Sequence, residues 1–138
     1  MTEPRVELSL VGGRTFEVRN PEGASFTLDG DATKGLSPMQ SLLASVAGCM
    51  GIDVMLILEK MRSEPEALSI AVEGDRPEEP PRHYTALRIR FRIAGAVPQD
   101  KAERAVALSL AKYCSVLHTL RKDLKVETAV EIVSPPGS

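Results

Sequence analysis

Residues 37–62 read SPMQSLLASVAGCMGIDVMLILEKMR, and this stretch decides the fold. From Met39 to Leu58 the only formal charge is Asp53, a length near that of a bilayer span. Gln40, Ser41, Ser45 and Asp53 interrupt the run, and Glu59, Lys60 and Arg62 close it. Such a helix, apolar nearly all round, reads as a buried core helix rather than a membrane span. Ser37 can cap it and Pro38 suits its first turn, while Ser63-Glu64-Pro65 stops it. One small sheet cannot cover every face of this helix. Two sheets or a partner chain can, so a homodimer with C2 symmetry and this helix at its centre is expected.

Before the helix the pattern is a three-stranded meander. Val6, Leu8 and Leu10 alternate with Glu7 and Ser9, Gly12-Gly13 signals a hairpin, and Phe16 and Val18 resume the alternation. Asn20-Pro21-Glu22-Gly23 makes a second turn, and Phe26 and Leu28 mark the third strand. After the helix, Leu68, Ile70 and Val72 form one strand. Leu87, Ile89, Phe91 and Ile93, alternating with Arg88, Arg90 and Arg92, form the clearest strand of the chain. A second helix starts at Pro98-Gln99-Asp100 and reaches Tyr113, a short helix follows Cys114, and Val126 to Ile132 alternate as a last strand. Ser134–Ser138 is expected to fray. The order describes one α+β domain over residues 1–138, with a second sheet and helices after the long central helix.

Composition narrows the function. A chain of 138 residues with 43% hydrophobic residues can build one real core. Seventeen Lys plus Arg against nineteen Asp plus Glu leave a net charge of −2, so no strong field recruits nucleic acid or an anionic membrane. The arginine stripe of the clearest strand has no interleaved aromatics for base stacking. It is better read as one strand face, paired with Glu127 and Glu131 on a neighbouring strand. The N-terminus lacks a basic region followed by an apolar run, and two cysteines make no disulfide scaffold. The expectation is a soluble cytoplasmic protein. No phosphate-binding loop, dinucleotide fingerprint or nucleophile elbow is present.

The chemistry rests on two thiols. Cys49 lies mid-helix in Ala47-Gly48-Cys49-Met50-Gly51, where each glycine costs about 1 kcal/mol relative to alanine. Close approach of a substrate or backbone to the thiol would offset that cost. Tight helix contact around a small buried cysteine would do so equally. Cys114 stands at a helix junction after Lys112-Tyr113, where a second helix could offer backbone N–H groups to its sulfur; otherwise it is a half-buried cysteine with Tyr113 in the core. His118, four residues after Cys114, could share its face and assist the thiol, or be merely solvated. Two Cys and two His without close ligand pairs argue against zinc, so no metal is expected. Asp53 is four residues beyond Cys49. A carboxylate disfavours a thiolate, so its expected partner is a packing or capping group.

Ser37-Pro38-Met39, then Ala47-Gly48-Cys49 and Lys112-Tyr113-Cys114-Ser115-Val116, resemble the OsmC/Ohr family of osmotically inducible and organic-hydroperoxide-resistance proteins. The order of elements is similar over nearly the whole chain. The resemblance implies an intertwined homodimer with active sites between subunits and a thiol-dependent peroxidase needing no cofactor. It assigns Cys49 as the residue that attacks an organic hydroperoxide and becomes a sulfenic acid, and Cys114 as the one that resolves it to a disulfide. A thiol or dithiol reductant then restores the pair.

This sequence departs from the family pattern at one place. Typical members carry Pro-Glu at the start of the long helix, the Glu organising an arginine that activates the thiol. Here Met39 stands in that position, Gln40 lacks the charge, and the arginine could be Arg14 or Arg19. Ser-Pro-Met looks like the less-characterised OsmC-like branch, and slower peroxide reduction is expected of it. The competing expectation is a non-peroxidatic dimer that binds a small apolar ligand or senses redox state.

Overall fold

A computed structural model of the chain describes residues 4–133; the tail expected to fray, Ser134–Ser138, lies outside the described residues. The chain divides into two compact units, residues 1–42 and 43–138. The first is the meander: β1 (Glu7–Gly12), β2 (Thr15–Arg19) and β3 (Ser25–Asp29), antiparallel in that order. The first turn is Gly13-Arg14, one residue later than the Gly12-Gly13 reading. A bulge between Leu10 and Gly12 shifts the register, and Gly13 takes the positive φ of +52° that the turn requires. Leu8, Val18 and Phe26 stand opposite one another, as do Leu10, Phe16 and Leu28, so one face of the sheet is apolar.

The meander closes on a built loop. Asp29 is buried and accepts the backbone N–H groups of Asp31, Thr33 and Lys34 at 3.1, 3.1 and 2.9 Å, with Thr33 Oγ1 donating at 3.0 Å. Those N–H donors, that of Lys34 foremost, hold its carboxyl well below the usual carboxylate range.

The long helix, α1 (Pro38–Lys60), begins where Ser37-Pro38 places it. Ser37 Oγ accepts the Gln40 N–H at 3.1 Å and Gln40 Oε1 accepts the Ser37 N–H at 3.0 Å, a reciprocal capping box. Gln40, lacking charge, thus has a structural task at the helix start.

The second unit carries most of α1, then β4 (Ala67–Asp75), β5 (Ala86–Ala94), α2 (Gln99–Leu108), a π-helical turn (Ser109–Tyr113), α3 (Ser115–Thr119) and β6 (Lys125–Val133). The central strand β5 pairs antiparallel with β4 and parallel with β6; the parallel pairing needs the long helical crossover between them. Leu87, Ile89, Phe91 and Ile93 of β5 are fully buried with Val46, Met50, Val54 and Leu58 of α1 and Ala102, Ala105 and Val106 of α2. The α1 members recur every four residues, one stripe of the helix. The helix is long and apolar enough to cross a membrane, yet this stripe serves the core. Its other side is open within the chain: Ile52 is 64% exposed and Leu56 52%.

On the opposite face of β5, Arg88 donates to both carboxylate oxygens of Asp75 at 3.0 Å, Arg90 pairs with Glu73, and Arg92 meets Glu131 at 3.5 Å. The expected partner Glu131 is therefore present, while Glu127 stands in register with Arg88 but yields its place to β4 carboxylates. Surface pairs of this kind are worth about 0–1 kcal/mol each.

Candidate active site

Two elements of the second unit carry the site. Cys49 and Asp53 are four residues apart on α1 and so share a side of it. The other element is the π turn, which inserts an extra residue where α2 would otherwise run straight to Tyr113. Its closing bond runs from the Cys114 N–H to the Ser109 carbonyl at 2.8 Å, five residues back. Cys114 then leaves the helical region (φ −72°, ψ 99°) and caps α3, its Sγ accepting the Leu117 N–H at 3.5 Å.

Both cysteines are free thiols, and Cys49 is a near enough neighbour to help raise the Cys114 thiol. Their surroundings differ. Cys114 is fully buried among the core side chains, whereas Cys49 packs at the core's edge and is partly exposed. Burial, more than any neighbour, pushes the Cys114 thiol up to about 11; the Leu117 N–H opposes the shift, and Cys49 and Asp53 add to it. At neutral pH Cys114 is a protonated thiol.

Of the two readings of Cys114, the second helix does offer its sulfur an N–H group, while the half-buried cysteine with Tyr113 in the core is not found. Tyr113 is 47% exposed, with the Lys112 ammonium 5.2 Å from its ring centre, while Cys114 is the buried member. The extra residue of the π turn accounts for the exchange, since it rotates Cys114 inward. His118 does not assist the thiol through its ring: Nδ1 lies 2.8 Å from the Cys114 carbonyl oxygen and Nε2 3.2 Å from that of Ala111, both backbone acceptors. Asp53 has a side-chain partner, as the charge argument required. Ser109 Oγ, fully buried, donates to its Oδ2 at 2.9 Å. Ser109 had no signal in the sequence.

The glycines flanking Cys49 have separate roles. A methyl group on Gly51 would meet Ile70 Cδ1 at 2.9 Å, so β4 packs closely there, whereas one on Gly48 meets nothing within 4 Å. Gly48 opens onto a groove of about 670 Å³ lined by Ala47, Ile52, Met55 and Leu56 of α1 and by Pro65, Leu68 and Ile70 beyond it. In the first unit, Arg14 is bonded to Asp31 at 2.5 Å and Arg19 to Glu17; both arginines are exposed. Among the described residues no cluster of three His, Cys, Asp or Glu side chains could hold a metal ion.

The second unit is an α+β fold with two free thiols, one buried and one partly exposed at the edge of its core. The profile of OsmC-like proteins matches residues 29–129, and the chain belongs to that family. The Escherichia coli K12 protein YhfA is 36% identical over 126 residues, covering 90% of this chain and 94% of its own. A hypothetical protein from Aquifex aeolicus VF5 shares the structure with a TM-score of 0.87 at 35% identity, covering 98% of this chain and 99% of its own. An organic hydroperoxide resistance protein OsmC from Legionella pneumophila shares the fold at TM-score 0.69 and 19% identity, over 95% of this chain and 99% of its own.

Proposed function

We propose that the chain, one OsmC-like domain over residues 1–138, is a cytoplasmic homodimeric peroxidase that reduces organic hydroperoxides through Cys49 and Cys114. The observation that carries this reading is a pair of free thiols of unlike exposure, near enough that one raises the other. The partly exposed thiol is the one a peroxide can reach. The buried, protonated thiol is a poor first nucleophile and a well-sheltered second one. Cys49 thiolate attacks the O–O bond, taking the terminal hydroxyl as sulfenic acid while the alkoxide leaves and is protonated to an alcohol. The Cys114 sulfur then attacks the Cys49 sulfur; the disulfide forms, and the Cys114 proton leaves with the hydroxyl as water. A thiol or dithiol reductant regenerates the pair by exchange. The Legionella protein that shares the fold is an organic hydroperoxide resistance protein, which supports the substrate class.

Dimerisation is supported by the open side of α1, where Ile52, Met55 and Leu56 are 64, 40 and 52% exposed. Large apolar side chains gathered on one exposed face fit a second copy of the chain. The groove beside Gly48 favours a second reading, a site for a small apolar molecule with the thiols serving redox sensing. Stopped-flow oxidation of the reduced protein separates them. The peroxidase reading expects organic hydroperoxide to oxidise Cys49 faster than hydrogen peroxide does, with the reaction lost in Cys49→Ser. Equal, slow rates for both oxidants favour the ligand-binding reading. Met39→Glu should accelerate the reaction if an arginine is in reach.

A further inference from the structure

The resolving thiol is held in place from the same helix that carries the attacking one. On α1, Cys49 and Asp53 are four residues apart; on the π turn, Cys114 and Ser109 are five apart, one full π turn. The two pairs meet end to end. Cys49 is near enough to Cys114 to raise its thiol, and Asp53 Oδ2 accepts the Ser109 hydroxyl at 2.9 Å. The Ser109 carbonyl in turn accepts the Cys114 N–H at 2.8 Å. An unbroken chain of hydrogen bonds therefore runs from Asp53 through Ser109 to the backbone of Cys114. Ser109 is fully buried, so releasing its hydroxyl would leave a buried donor unsatisfied.

We infer that Asp53 and Ser109 are positioning residues for disulfide formation: they clasp the π turn to α1 and so set the approach of the Cys114 sulfur to Cys49. Asp53 neither attacks nor carries a proton here. Its charge opposes thiolate formation at the pair, so its value lies in geometry. The π turn sets where Cys114 enters the core, and an ordinary helical turn in its place would rotate Cys114 away. The inference rests on the proposed two-cysteine cycle for its use but not for its test.

The decisive experiment measures the equilibrium between the dithiol and the Cys49–Cys114 disulfide in glutathione buffers. In that exchange oxidised glutathione accepts the two electrons and is released as two reduced molecules, so no peroxide is involved. Ser109→Ala and Asp53→Ala should each lower the effective concentration of one thiol at the other by about tenfold or more. Asp53→Asn should stay near wild type, because its side-chain oxygen accepts the same hydrogen bond without the charge. Should Ser109→Ala fail to fold by circular dichroism, the contrast between Asp53→Ala and Asp53→Asn carries the test. Wild-type exchange in Ser109→Ala, or a loss in Asp53→Asn equal to that in Asp53→Ala, would overturn the clasp.

A parallel pulse of cumene hydroperoxide with dimedone present shows whether the cycle uses it. Ser109→Ala and Asp53→Ala should still form Cys49 sulfenic acid and accumulate the dimedone adduct in place of the disulfide. If glutathione exchange responds as expected while wild-type Cys49 ignores the peroxide, the clasp stands and the peroxidase reading fails.

Discussion

The two sheets carry the same alternating pattern and bury it to opposite degrees. On β5, Leu87, Ile89, Phe91 and Ile93 are at most 1% exposed. On the meander the central Val18 is 4% exposed, while Leu8, Leu10, Phe16 and Phe26 of the same face remain 48, 62, 37 and 51% exposed. Strand periodicity therefore reports which face is apolar but not what covers it. In the second unit α1 and α2 supply the cover. For the meander and the open side of α1, the proposed second copy supplies it, and exposed apolar faces of this kind are where obligate partners bind.

Truncating the finished core should have the largest effect. Phe91→Ala should cost about 3–5 kcal/mol whatever the protein concentration, because its cavity lies within one chain. Phe26→Ala should cost less, and its cost should depend on concentration. Denaturant titrations at two concentrations separate the cases, and equal behaviour of the two variants would break the comparison. Charging the open side of α1 comes next. Ile52→Asp combined with Leu56→Asp should give a monomer by light scattering while circular dichroism keeps its helical signal; a dimer that survives both charges would place the interface elsewhere.

Gly48→Ala sharpens the point at smaller scale. Within the chain nothing obstructs the added methyl, so a bare helix would gain about 1 kcal/mol of stability. Under a close-packed second copy the same change should weaken the dimer instead. We expect weakening, read as a rise in dissociation constant.

The smallest effect is one of pH. Burial raises the Cys114 pKa to about 11 from an ordinary thiol value near 9. Below the unfolded value both states hold the proton and the native state bears no penalty. As pH rises through 9 toward 11 the unfolded chain ionises first, so reduced wild-type protein should lose stability there. Cys114→Ala should lack that slope. Asp29 acts at the other end: its depressed carboxyl stabilises the meander's loop above the unfolded value and loses that contribution as pH falls below about 4.

The fold was legible where local pattern and burial agree. Ser37-Pro38 opened α1 and Pro65 followed its end; the β5 alternation named the core residues that are now buried. The capping role of Gln40 is also legible, since Ser-x-x-Gln is a recognised helix start signal. The π turn was not legible. Ser109–Tyr113 has no pattern that distinguishes it from a continuing helix, and the Asp53 that holds it lies 56 residues earlier in the chain. The pairing of Cys49 with Cys114 came from family resemblance, because a separation of 65 residues carries no geometry by itself.

The central claim is that these two thiols form a working pair, and peptide mapping after a single turnover tests it most directly. Reduced protein is treated with one equivalent of organic hydroperoxide, alkylated and digested. We expect one disulfide-linked peptide joining Cys49 to Cys114 within a single chain, and in Cys114→Ser a sulfenic acid at Cys49. Recovery of either cysteine as its unmodified thiol in the wild-type product would contradict it.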